Sequence, residues 1–317
     1  MTLTDAPLAA FKGERPPAPD WFVAALAQAP ERSFFMCDGA AIELLTWGKV
    51  GKPGLLFLHG NGAHADWWSF IAPFFADTHR CAAMSWSGMG LSDRRSGGYE
   101  MAQHTAEAVA AIDAAGLDNG SGVMVVAHSA GGYPALLAGQ ISDRIKGIIS
   151  LDSAIVPREM TADLPGPGVR PNRIYATQAE ALVRYRFMPA TIGDQFYAVD
   201  HIARTSLVPV EPDADGKGAP GGWQWSFDPE IYRHLHRDDF SGLPRAAQCP
   251  LALILGEDSD LIGDAVRTYM RGLYPDDAPF IPIPQAGHHI MVDQPLALVG
   301  ILRTLLITWP ARAAQTA

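Results

Sequence analysis

Short apolar runs recur at 54–58, 81–86, 122–127, 147–151, 250–255 and 280–283. A run such as Leu55-Leu56-Phe57-Leu58 has no polar residue at alternate positions, so as a strand it must be covered on both faces. Segments of helical character at 67–75, 101–115 and just after residue 129 separate the first four runs. This alternation predicts an α/β chain built on a mostly parallel, doubly wound sheet, whose ligands gather at the carboxyl ends of the strands. A β-hairpin over 33–47, turning at Asp38-Gly39, leads into the first buried strand, and a helix near 296–308 follows the last.

The alternation stops after Ala154 and resumes at Pro250. The segment between carries Tyr175, Tyr185, Phe187, Phe196, Tyr197, Trp223, Trp225 and Tyr232, with helical pieces expected near 178–186 and 192–203 and a Gly/Pro/Asp-rich stretch at 209–222. A solvated loop is seldom this aromatic, and loops beyond about 15 residues without structure are uncommon. The expectation is therefore a core over 31–155 and 241–317 with a mainly helical cap at 156–240. Residues 1–30, with a helix near 19–29 carrying Trp21 and Phe22, are expected to pack as an N-terminal appendage.

Composition narrows the function. The formal net charge of −10 gives no basic patch for nucleic acid or anionic lipid, so a small, weakly polar molecule is the expected partner. No apolar stretch reaches the roughly 18 residues of a membrane span, and the N-terminus has no basic start followed by an apolar run. The expected location is cytoplasmic, as a monomer or homodimer. Cys37, Cys81 and Cys249 are too widely spaced for a disulfide framework or a metal cluster.

Residues 123–133 read Val-Met-Val-Val-Ala-His-Ser-Ala-Gly-Gly-Tyr. A sharp turn from strand to helix can lift a serine hydroxyl above a sheet edge, and its crowded backbone admits only small neighbours two positions away on either side. Ala127 and Gly131 meet that demand around Ser129, alanine standing where glycine is usual. A serine hydroxyl needs a base, and the base needs a group that holds its tautomer. His288, behind Gly287 and just after the last strand, is the candidate base; His289, His128 and His59 read as packing or bracing residues. Oxyanion donors are expected from the backbone N–H groups of Ala130 and of Asn61, in His59-Gly60-Asn61-Gly62.

Taken together, His59-Gly60-Asn61-Gly62, Ser87-Gly88-Met89-Gly90-Leu91-Ser92, the turn at Ser129 and Gly287-His288 make the chain resemble the α/β-hydrolase fold superfamily. The resemblance implies a serine hydrolase, esterase-like, needing no cofactor and no metal. Its members usually carry the triad acid after the penultimate strand, in a Gly-x-x-Asp pattern, where Gly256-Glu257-Asp258-Ser259-Asp260 has serine instead. A subset places the acid at the end of the strand after the nucleophile helix, which here is Asp152. Asp152 is favoured, with Asp260 and Asp258 as alternatives. Trp86 stands where similar proteins often have aspartate.

The implied reaction is cleavage of a carboxylic ester with an apolar acyl or alcohol part. Trp67 and Trp68 are candidates either for the pocket wall or for the buried face of a helix, and Trp223 and Trp225 for closing the pocket from the cap. A lactonase or a C–C bond hydrolase with the same triad, or a non-catalytic receptor on this scaffold, are the competing expectations. Aspartate-nucleophile chemistry, as in dehalogenases and epoxide hydrolases, is disfavoured by the serine.

Overall fold

The computed structural model describes residues 6–161, 169–210, 222–233 and 239–313. The hairpin forms where expected: β1 (Glu31–Cys37) and β2 (Ala40–Trp47) pair antiparallel through Asp38 and Gly39, at φ +46° and +78°. Positive φ at both central positions is what a two-residue turn needs to match strand twist, and Asp-Gly supplies it. Then follow β3 (Gly54–Leu58), β4 (Arg80–Met84), β5 (Val123–His128) and β6 (Ile145–Leu151). A two-stranded ribbon, β7 (Leu207–Val210) with β8 (Gly222–Trp225), precedes β9 (Leu251–Gly256) and β10 (Phe280–Ile283).

Eight strands make the main sheet in the order β1-β2-β4-β3-β5-β6-β9-β10, parallel from β4 to β10. The sheet separates two apolar layers. One contains Phe57, Trp68, Phe70, Phe75 and the terminal helix Pro295–Ala313; the other contains Ile112, Leu136, Met270 and Tyr274. Burial on both faces explains the absence of alternation in β3, every residue of which is buried.

The structure departs from the sequence reading in two places. Residues 65–75 form two 3₁₀ turns, Ala65–Trp68 and Ala72–Phe75, instead of one amphipathic helix. Nearly every side chain there is buried, so no face remains for solvent, and Pro73 removes a backbone donor. The segment between β6 and β9 carries strands as well as the expected helices: Gln178–Leu182 and Phe196–Thr205 are followed by the β7/β8 ribbon. Most of the Gly/Pro/Asp-rich stretch, 211–221, lies outside the described residues.

The N-terminal segment is wedged against the inserted segment. Phe22 packs on Phe70 and Tyr197, Phe11 on Phe196, and Arg204 donates to the Gly13 carbonyl at 2.6 Å. Nearby, His64 bonds Ser206 Oγ at 2.9 Å and His201 bonds Ser69 Oγ at 2.7 Å, fastening the insertion to the first loop of the core. Among the described residues, no helix is long and apolar enough to cross a membrane.

Buried histidines make this fold acid-sensitive. Desolvation holds His64 at about 4 and His59 at about 3, against an ordinary 6.5. As the pH falls from 6.5 toward 4, the unfolded chain takes up protons that the folded chain refuses. The stability present above 6.5 is therefore lost at about 1.4 kcal/mol per pH unit per histidine over that window. Urea unfolding midpoints should be equal at pH 7 and 8 and clearly lower at pH 5; equal midpoints at pH 7 and 5 would contradict this account.

Candidate active site

The chain leaves β5 at His128 and turns at Ser129 with φ +53°, a left-handed conformation that costs a non-glycine residue of order 1–3 kcal/mol. The turn feeds the helix Gly132–Ile141 and leaves Ser129 half-exposed above the sheet. Crowding around it is backbone crowding. A Cβ on Gly131 would collide with the His59 carbonyl, and one on Gly60 would stand 2.8 Å from Ser129 Cβ and 3.3 Å from its Oγ. These contacts account for the small residues seen in the sequence, and they lock the loop after β3 against the serine.

His288 follows β10 and is buried. Its Nε2 lies 2.9 Å from Ser129 Oγ, and its Nδ1 lies 2.8 Å from Asp152 Oδ2. Asp152 ends β6 in a left-handed turn, φ +48°, with no solvent exposure. Its Oδ1 accepts the Gly256 N–H at 3.0 Å, and its Oδ2 also accepts the Ser259 hydroxyl at 2.6 Å. Asp258 and Asp260 are exposed, while Ser259 between them is buried. The serine at the usual acid position thus reaches the carboxylate that His288 touches. That support was visible in the sequence only as a serine out of pattern.

The loop carrying His288 is fixed by Asp293, whose Oδ2 accepts the Gly287 N–H at 2.9 Å. Oδ1 of the same side chain accepts the N–H groups of Gly193 and Ile192, at 3.0 and 3.2 Å, in the inserted segment. Burial raises the Asp293 carboxyl above its ordinary value. This clamp leaves no mark on residue identity, because it joins residues 100 positions apart through backbone donors.

The loop after β3 is braced by His59 and Trp86. His59 Nδ1–H donates to the Gly60 carbonyl at 2.7 Å, its Nε2 accepts the Trp86 N–H at 3.1 Å, and the Trp86 indole donates to the His59 carbonyl at 2.8 Å. This gives Trp86 a physical role where an aspartate is common. The N–H groups of Asn61 and Ala130 make no hydrogen bond to another described residue. Gly62, φ +66°, faces Tyr232 of the insertion: a Cβ there would stand 2.5 Å from the Tyr232 hydroxyl.

The two neighbouring tryptophans part company. Trp68 is fully buried against Phe57, 5.1 Å between ring centroids, beneath the sheet. Trp67 stacks beside His128 and meets His289 and Phe187 edge-on at 5.5 and 5.4 Å. From Phe187 a run of rings continues through Tyr185, 5.1 Å away, to Trp225, 5.4 Å farther. Trp223 instead pairs its backbone with Tyr175 and is partly buried at the core surface. His128 and His289, expected to pack or brace, lie against His288, with ring centroids 4.7 and 4.8 Å from it. No pattern in the sequence distinguishes them from packing histidines.

Comparison with known proteins agrees with this architecture. The chain is 35% identical over 130 residues to a 2-heptyl-3-hydroxy-4-quinolone dioxygenase of Rhodococcus erythropolis, a match spanning 40% of this chain and 43% of that protein, less than half its length. It is 26% identical over 285 residues to an esterase of Mycobacterium tuberculosis, covering 86% of this chain and 88% of that one. Among solved structures it shares its fold with the thioesterase domain from the curacin biosynthetic pathway, at a TM-score of 0.70 and 21% identity over 86% of this chain and 99% of that domain. Residues 55–301, most of the chain and all of the serine, acid and histidine positions described above, match the Alpha/beta hydrolase family, and the chain belongs to that family.

Proposed function

We propose that this chain is a serine hydrolase that cleaves a carboxylic ester with a sizeable apolar part. The observation that carries the reading is the unbroken hydrogen-bonded line from Ser129 Oγ through His288 to Asp152, at 2.9 and 2.8 Å. Ser129 attacks the carbonyl carbon while His288 Nε2 takes its proton, and the Asp152 carboxylate holds the opposite N–H and stabilises the imidazolium that forms. Asn61 and Ala130 N–H groups, without another partner among the described residues, receive the oxyanion. His288 then passes the proton to the leaving alcohol, and water activated by the same base cleaves the acyl-enzyme.

In this reading the segment 156–240 is the cap of the core 31–155 and 241–317. Trp67, Phe187 and the rings leading to Trp225 line the apolar side of the substrate. Trp68 belongs to the core beneath it. The test is a panel of p-nitrophenyl esters of increasing acyl length, run with lactones and with a fluorophosphonate probe. Ester turnover with labelling at Ser129 is the expected result. Binding of such ligands without product would leave a receptor, and turnover of lactones alone would move the reading to a lactonase.

Gly60 gives a second check. Placing a methyl 2.8 Å from Ser129 Cβ displaces the nucleophile or the oxyanion loop, and a misplacement of about 1 Å costs on the order of 10²-fold in rate. Gly60→Ala should lower kcat by that factor or more with little change in KM; an unchanged kcat would remove the close approach from the argument.

The dioxygenase relative supports a second reading. There the His288–Asp152 pair would take the proton from an acidic hydroxyl on an aromatic ring lying against Trp67 and Phe187, with dioxygen as co-substrate. Oxygen uptake that survives in Ser129→Ala would favour it over ester hydrolysis.

A further inference from the structure

Two ring nitrogens beside the nucleophile are not used by ester hydrolysis. His128 Nε2–H donates to the His288 carbonyl at 3.0 Å, and His289 Nε2–H donates to the Pro189 carbonyl at 2.9 Å. A carbonyl only accepts, so these bonds fix both tautomers, and in each neutral ring Nδ1 carries a bare lone pair. Both Nδ1 atoms are buried and have no hydrogen-bond partner among the described residues. Unmet acceptors are uncommon in a protein interior, and each asks for a ligand or a role.

The third ring is His288 itself. A ligand nitrogen of each of His128, His288 and His289 lies within 4.8 Å of those of the other two. Three points so spaced fit within roughly 2.8 Å of a common centre, against about 2.0–2.1 Å for a Zn–N bond. Each ring need close by less than about 1 Å, within reach of small side-chain rotations.

We propose that His128, His288 and His289 form a three-imidazole site for a borderline divalent transition-metal ion of the Zn²⁺ type, and that its occupancy switches off the hydrolase. The consequence for activity rests on the hydrolase reading; the ligand set does not. Binding transfers the His288 Nε2 lone pair from the Ser129 O–H to the metal, so Ser129 loses its base. The fourth position of a tetrahedral ion goes to Ser129 Oγ or to water, and any proton released comes from that ligand. No electron is transferred. Hard cations such as Mg²⁺ prefer oxygen and do not suit three imidazoles.

The experiment uses the full chain, with equilibrium dialysis against Zn²⁺ alongside ester hydrolysis, and with EDTA reversal. Wild type should bind one Zn²⁺ per chain and lose activity in parallel, with EDTA restoring it and Mg²⁺ doing neither. His289→Gln and His128→Asn, each checked for folding by circular dichroism, should raise the inhibitory midpoint by about tenfold or more. Ser129→Ala should still bind one Zn²⁺. Absence of binding at about 100 μM Zn²⁺ overturns the site, as do midpoints unchanged in both histidine variants, which would place the ion elsewhere. Midpoints unchanged with a raised KM would also overturn it, assigning the bare nitrogens to substrate. Should wild type hydrolyse no ester, the dialysis result still decides the metal site while the hydrolase reading falls by itself.

Discussion

Ser129→Ala is expected to lower kcat for p-nitrophenyl ester hydrolysis by about 10⁴ to 10⁶-fold, the loss seen when a triad nucleophile is removed. Alanine keeps the Cβ that fits between Gly60 and Gly131, and it keeps the strained φ of +53°, so the turn should survive. What disappears is the oxygen 2.9 Å from His288 Nε2. Thermal melting should therefore be nearly unchanged while turnover collapses. Ser129→Gly sharpens the contrast, because glycine adopts this backbone without strain and should melt higher while remaining inactive. Retention of more than about a tenth of wild-type ester turnover by either variant would remove Ser129 from the role of nucleophile.

The parts of this site that sequence exposes are those enforced by local sterics. A serine at φ +53° beside two close backbones demands small neighbours, and Ala127 and Gly131, two residues to either side, meet that demand. The Asp38-Gly39 turn is legible for the same reason. Other features depend on which distant surfaces meet. Trp67 and Trp68 are adjacent and chemically identical, yet one faces the histidines and the other the core, because a 3₁₀ turn points successive side chains about 120° apart. The β7/β8 ribbon hides behind Pro209 and a Gly-rich interruption, each of which argues locally against a strand. The Asp293 clamp involves backbone donors, which leave no mark on residue identity.

The identity of the acid lies between these extremes. The sequence places aspartates at the ends of two neighbouring strands, β6 and β9, whose parallel pairing sets them side by side. Nothing local says which carboxylate turns inward. The structure turns Asp152 to His288 and lets Ser259 reach that same carboxylate from the β9 loop. A hydroxyl at the later position is complementary to a carboxylate at the earlier one, since a second buried carboxylate there would face like charge at close range.

Asp152→Asn should therefore cost about 10⁴-fold in kcat, through the tautomer of His288 and not through the fold. Asparagine tolerates φ near +48° as well as aspartate does, so the turn after β6 is kept. The Gly256 N–H fixes the amide orientation: it needs an acceptor at the Oδ1 position, 3.0 Å away. The amide nitrogen must then occupy the other position, facing Ser259 Oγ and His288 Nδ1. Ser259 can turn its hydroxyl to accept, but His288 can accept only by leaving Nδ1 bare and moving its proton to Nε2. A protonated Nε2 cannot take the proton of Ser129. Asp260→Asn, at an exposed side chain, should stay within a few-fold of wild type. Measured side by side, with melting temperatures as the control for folding, an active Asp152→Asn beside a collapsed Asp260→Asn would reverse the assignment.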